Sequence, residues 1–203
     1  MTIVLEDLVQ TRIPTKHGEF ELHYYSNNVD DKEHIAFVKG DVSGVKDVPV
    51  RIHSECFTGD VLGSRRCDCG EQLDLALQLI QEAGVGVLVY LRQEGRGIGL
   101  LKKLQAYNLQ DEGLDTVDAN IHLGHLADER EYNLAALMLE SLGVDSIRLI
   151  TNNPKKIEDL RQLGVSIVGR IAIESDYHSD NLDYLKTKAE KMRHLLSFPK
   201  AEK

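Results

Sequence analysis

Hydrophobic and polar residues alternate in three short runs early in the chain: EFELHYYS at 19–26, HIAFVK at 34–39 and VPVRIH at 48–53. Period-two alternation turns one face of an extended chain toward a core and the other toward water. Polar or glycine-containing turns separate the runs, so they read as strands of an antiparallel sheet. Over residues 71–83 the period changes. Leu73, Leu75, Ala76, Leu77, Leu79 and Ile80 predict a helix that Gly84 ends. Residues 85–91 are almost wholly apolar, as in a strand covered on both faces.

A glycine loop, QEGRGIG at 93–99, then precedes a helix-like run, LLKKLQAYNL at 100–109. Strand, glycine loop and helix N-terminus can cradle a phosphate on backbone N–H groups. The spacing is neither that of dinucleotide folds nor of a Walker-type loop, and a plain strand-to-helix turn explains it equally. Residues 111–126 read as polar and irregular, with Thr116 and Asn120 inside. Asp128, with Glu131 three residues on, reads as a capping box for a helix over 132–143, worth ~1 kcal/mol. Arg130 opposes the dipole of that helix, which calls for an anion nearby. SIRLIT at 146–151 is a further strand. Asn153 and Pro154 open a helix running to Leu163, with Lys155 and Lys156 in its first turn. Residues 165–168 predict a last strand and 181–196 a charged amphipathic helix. This order predicts an α+β (mixed α/β) fold, antiparallel strands first and then alternating helices and strands, in a single compact domain over residues 1–203.

Composition adds boundaries. The 203 residues, 42% hydrophobic and 28% charged, are enough for a good core in an ordinary soluble protein. The opening MTIVLEDLVQ lacks the form of a signal peptide, and no apolar run approaches the ~20 residues of a membrane span. A cytoplasmic protein with no membrane partner is expected. A net charge of −9 argues against nucleic acid as a partner. Arg51, Arg65, Arg66, Arg96, Lys102 and Lys103 still supply local positive charge for a small anionic substrate.

Cys56, Cys67 and Cys69 are the only cysteines, and they fall within fourteen positions. Thiolates are good zinc ligands, and Cys-x-Cys places two thiols on one side of the backbone. Three protein ligands would leave a fourth tetrahedral position for water, whose pKa zinc lowers from ~15.7 to ~7. Two other readings stay open: His53 closes a structural zinc site, or the thiols are free small hydrophobes. Cations and small polar residues recur at 51–55, 65–66, 94–96, 116, 130 and 151–156. Beside an open zinc they suit hydrolysis of a phosphorylated substrate such as a nucleotide.

HSECFTGDVLGSRRCDCGEQL, YLRQEGRGIGL, DEREYNLAALML and TNNPKKI, in that order, resemble GTP cyclohydrolase II over residues 13–196. The resemblance implies one zinc per chain on Cys56, Cys67 and Cys69. It implies opening of the guanine imidazole ring by water at C8, with release of formate and pyrophosphate, as the first step of riboflavin synthesis. The implied product is 2,5-diamino-6-(5-phosphoribosylamino)pyrimidin-4-one. GTP would be held by Arg51, Ile52, His53, Ser54, Glu55, Gln72, Glu94, Gly95, Arg96, Thr116, Thr151 and Lys156, with Mg2+ on the triphosphate. Asp128 matches a proton acceptor, Arg130 a nucleophile and Tyr107 a residue tied to deformylation. A guanidinium has no free lone pair at neutral pH, so Arg130 is expected to clamp phosphate instead. The resemblance also implies a homodimer. Family members occur fused to a dihydroxybutanone-phosphate synthase domain, for which this chain has no room. Arg193 stands where glycine is expected. His53-x-Glu55 ahead of Cys-x-Cys also resembles the zinc nucleoside deaminases, at a different spacing and with Cys56 left over.

Overall fold

The computed structural model describes residues 2–196. A long hairpin, β1 (Leu5–Thr15) and β2 (Gly18–Asn27), leads through β3 (His34–Lys39) to β4 (Val48–Ser54). A short helix α1 (Phe57–Asp60) and the longer α2 (Cys69–Ala83) connect β4 to β5 (Gly86–Leu91). A 3-10 turn over residues 94–97 precedes α3 (Gly99–Asp111), α4 (Thr116–His122) and α5 (Asn133–Ser141). Then come β6 (Ile147–Ile150), α6 (Pro154–Gln162), β7 (Ile167–Ile171) and α7 (Leu182–Glu190). The strands form one mixed sheet, β1-β2-β3-β5-β4-β6-β7.

The expected α+β character and single domain are present, but strand pairing departs from expectation. β4 does not join the antiparallel group. β5 lies between β3 and β4, antiparallel to the first and parallel to the second. β6 and β7 continue in parallel. As its apolar sequence predicts, β5 is covered on both faces. Val87, Val89 and Leu91 meet Met138 and Leu160 of α5 and α6, while Leu88 meets Ala76 and Ile80 of α2. The β4, β5, β6 and β7 strands therefore end on the same edge, where open α/β sheets place ligands.

Several local expectations are corrected. The sequence predicts no strand over residues 5–15, because β1 is an edge strand with most side chains in solvent and no clear alternation. Residues 111–126 are not irregular throughout: α4 forms there because Asp115 Oδ1 accepts from Val117 N at 2.8 Å and Asp118 N at 3.1 Å. The capping box does not form. Tyr132, not Asp128, precedes the first turn of α5, because both Asp128 oxygens are taken by Arg130. β7 begins two residues later than predicted. α7 stops at Glu190 instead of Leu196, and Arg193 takes a left-handed conformation at φ 56°. Asn153 caps α6 as expected, accepting from Lys155 N at 3.0 Å.

Candidate active site

The sulfurs of Cys56, Cys67 and Cys69 lie within 4.8 Å of one another. Cys56 precedes α1 and Cys69 begins α2, so the two helices set the cluster. Their backbones touch at glycines. A Cβ on Gly70 would stand 2.3 Å from Gly59 O, and one on Gly59 would crowd all three cysteines at 3.0–3.1 Å. Cys56 and Cys67 sulfurs are 3.6 Å apart, close to the ~3.8 Å that Zn–S bonds of 2.3 Å span in a tetrahedron. Soft donors at this spacing fit zinc. No His, Asp or Glu among the described residues joins the cluster. His53, the candidate fourth ligand, instead places Nε2 3.1 Å from both Asp60 oxygens. Asp60 Oδ2 also accepts from Cys56 N at 2.9 Å and Tyr90 OH at 2.8 Å, which ties the loop to β5.

Lys103, on α3, donates to Cys56 Sγ at 3.0 Å and to Glu94 Oε1 at 2.7 Å. Hydrogen bonds from Cys67 and Cys69, with the Lys103 charge, hold the Cys56 thiol well below its ordinary range. The same sharing pushes the Cys67 and Cys69 thiols up. Glu94 also accepts from Phe57 N at 2.6 Å, so it joins the 3-10 turn to the cysteine loop. Gly95 and Arg96 in that turn both have φ 63°, a geometry glycine takes freely and arginine rarely. The Tyr107 hydroxyl lies 3.4 Å from Thr58 Oγ1, itself 3.7 Å from Cys56 Sγ, and the Arg66 guanidinium stacks 4.6 Å from the Tyr107 ring.

The cleft continues from the sulfurs to a group of buried cations. Arg51, 6% exposed, donates to Ile150 O at 3.1 Å and to Gln72 Oε1 at 2.6 Å. Lys156, 5% exposed, donates to the Ile52 carbonyl at 2.7 Å. Burial, then the charges of Arg51 and Arg130, push the Lys156 ammonium far below its usual range. Among the described residues, Arg51 Nε and one Arg96 terminal nitrogen are buried with no hydrogen-bond partner. Positive charge held this far from water without matching carboxylates suits an anion.

Of the residues singled out in sequence, Arg51, His53, Ser54, Glu55, Gln72, Glu94, Gly95, Arg96, Tyr107, Thr116, Arg130, Thr151 and Lys156 line this cleft with the cysteines. Ile52 does not: its side chain lies in the core. Asp128 is also outside the wall and stands behind Arg130. Sequence reasoning missed Tyr184, Lys188, Met192 and His194, which line it too. Lys188 left one signal, since it follows Leu185 at i+3 on the inward face of α7.

A family model described as GTP cyclohydrolase II matches residues 6–172. The riboflavin biosynthesis protein RibBA of Chlamydia muridarum is 54% identical over 197 residues, 97% of this chain and 46% of its own length. A probable monofunctional riboflavin biosynthesis protein RIBA 3, chloroplastic, of Oryza sativa subsp. japonica is 54% identical over 193 residues, 95% of this chain and 36% of its own. RibBA of Bacillus cereus (strain B4264) is 53% identical over 189 residues, 93% and 48% respectively. The chain spans about half the length, or less, of these curated relatives.

Proposed function

Because this chain belongs to the GTP cyclohydrolase II family, we propose that it hydrolyses GTP, opening the guanine imidazole ring at C8 with release of formate and pyrophosphate. The product of this step, 2,5-diamino-6-(5-phosphoribosylamino)pyrimidin-4-one, would feed riboflavin synthesis. The observation that carries the reading is the placement of three converging thiols and a surplus of buried cations in one cleft. Cys56, Cys67 and Cys69 would hold zinc, which when bound supplies Lewis-acid activation for attack by water.

The chain's own residues divide the remaining work. Arg51, Arg96, Arg130 and Lys156 offer donors to phosphate oxygens, arginine in bidentate fashion. Gln72 and Asp68 orient Arg51, since Gln72 Nε2 donates to Asp68 Oδ2 at 2.5 Å while its Oε1 accepts from the guanidinium. Asp128 fixes the plane of Arg130 and can take a proton that leaves with the chemistry. Arg130, always protonated, acts as a clamp on the phosphate whose bond breaks. Tyr107, next to Thr58 and the sulfurs, is placed to pass a proton during loss of formate. Glu55 is held by Arg92, whose Nε donates to it at 3.0 Å. Magnesium would arrive on the triphosphate, because the described residues build no second cluster of metal ligands. A cytoplasmic homodimer is part of the same proposal. Among the described residues, no helix is long and apolar enough to cross a membrane.

The deciding experiment incubates zinc-loaded protein with GTP and magnesium, then assays formate, pyrophosphate and the mass of the purine-derived product. Formate and pyrophosphate in equal amounts with a diaminopyrimidine product support the reading. Ammonia release, or intact GTP, overturns it. A phosphoramidate on Arg130, seen by intact mass and turning over, would replace the clamp by a nucleophile.

A further inference from the structure

The segment after β7 lies beyond the residues the family model matches, yet it closes the cleft. Its two ends are pinned to one residue. Asn152 Oδ1 accepts from Ile173 N at 3.3 Å and Asn152 Nδ2 donates to Ile173 O, while the Asn152 carbonyl accepts from Leu195 N at 2.8 Å. Between these ends the chain crosses the mouth. Arg65 pairs with Asp180 at 3.3 Å, and Lys191 pairs with Asp115 and with Asp118, the latter at 2.9 Å. Asn181, fully buried, donates to Asp176 O at 3.0 Å and accepts from His178 N at 3.1 Å. Four residues outside it, Asn152, Arg65, Asp115 and Asp118, hold a segment whose amphipathic sequence alone would leave it lying on the surface.

Two of its side chains face the buried cations. Lys188, 8% exposed, donates to Asp68 Oδ1 at 2.5 Å. An ammonium has three donors, so this bond leaves others for a second acceptor. Among the described residues, His194 Nε2 is buried in the cleft wall without a partner. Its imidazole is driven to the neutral form, first by burial and then by the charges of Lys188, Arg130, Lys156 and Arg96. A neutral ring with a free nitrogen amid four cations is unsatisfied by the protein alone.

We propose that residues 174–196 are a fixed wall of the nucleotide cleft, and that Lys188 and His194 bind the triphosphate together with Arg96, Arg130 and Lys156. The inference rests on the cleft being the nucleotide site. Lys188 then links two halves of that site, because its other partner, Asp68, lies between Cys67 and Cys69. Asn152 is a positioning residue, holding both ends of the wall.

The test uses the full chain and two probes, inorganic tripolyphosphate and guanosine, with binding measured by calorimetry and hydrogen exchange followed over residues 182–195. Tripolyphosphate slows exchange there in the unmutated chain, and guanosine does not. His194→Ala and Lys188→Met each weaken tripolyphosphate binding at least about ten-fold, the scale of a lost hydrogen bond to a charged group. Guanosine affinity stays unchanged. His194→Gln, which restores an N–H at similar reach, recovers part of the loss. Unchanged tripolyphosphate affinity in His194→Ala overturns the inference, and so does an equal loss for guanosine, which marks a structural defect. Should Lys188→Met fail to fold, with Asp68 left unpaired, exchange in the unmutated chain still decides: no protection by tripolyphosphate overturns the wall. These readouts need no turnover, so a failure of GTP hydrolysis is recognised separately.

Discussion

Asp128 grips Arg130 with both carboxylate oxygens, Oδ1 accepting from Nε at 2.8 Å and Oδ2 from a terminal guanidinium nitrogen at 2.5 Å. Two parallel bonds fix the plane of the guanidinium as well as its position. The pair replaces the helix cap that these residues resemble in sequence, and it turns the arginine toward the cleft.

This pairing has a pH signature. Burial opposes ionisation of Asp128, but the hydrogen bond and charge of Arg130 outweigh it, so the folded carboxyl titrates below the ordinary 3.8. Its contribution is full above the unfolded value and is lost as pH falls through the lower folded value. Asp128→Asn therefore flattens the acid-side decline in urea midpoint below about pH 4. A midpoint that falls as steeply in the variant as in the parent would show that the pair contributes nothing.

Lys103 bridges Cys56 and Glu94. Lys103→Met removes the cation beside the sulfur and weakens zinc retention about 10- to 100-fold, the range for partners of metal ligands. Chelator competition with metal analysis measures it, and far-UV circular dichroism reports whether the fold is kept. Retention equal to the parent's contradicts the assignment.

The Tyr107 hydroxyl meets the cysteine cluster through Thr58. Tyr107→Phe is expected to lower the rate of formate release by roughly 10²-fold, the lower end for a proton-transfer group, with little change in GTP affinity. Equal losses in both would make Tyr107 a packing residue.

Arg193 stands at φ 56°, in the region that favours glycine, where resemblance led glycine to be expected. Relief of that strain by Arg193→Gly stabilises the protein by about 0.5–1 kcal/mol, after the extra entropy of glycine in the unfolded chain is subtracted. A raised denaturation midpoint with unchanged slope is the expected result, and a lowered one contradicts it.

The parts legible in sequence were those governed by local pattern. β3 was read to the residue because its alternation is uninterrupted, and Asn153-Pro154 signals a helix start by short-range bonds alone. The cysteines announced themselves by clustering. What failed depended on distant partners. The seat of β5 between β3 and β4 is a pairing choice that no period encodes. Asp128 satisfies the rule for a cap, but the side chain and backbone N–H of Arg130, two residues away, take its oxygens and the helix starts later. Lys188 showed only its i+3 spacing from Leu185 and His194 showed nothing, because a charged helical pattern ordinarily denotes a solvated face.

The seat of β5 also bears on how the molecule is made. β3 and β4 are synthesised first, yet the strand that joins them is the fifth to appear, and the other neighbour of β4 is the sixth. Until β5 is available, β4 has no strand to pair with, and its apolar side chains wait uncovered. The first third of the polypeptide therefore cannot mature by itself. A chain halted before β5 emerges from the ribosome would prolong that exposed interval, and one halted after β6 has emerged would not.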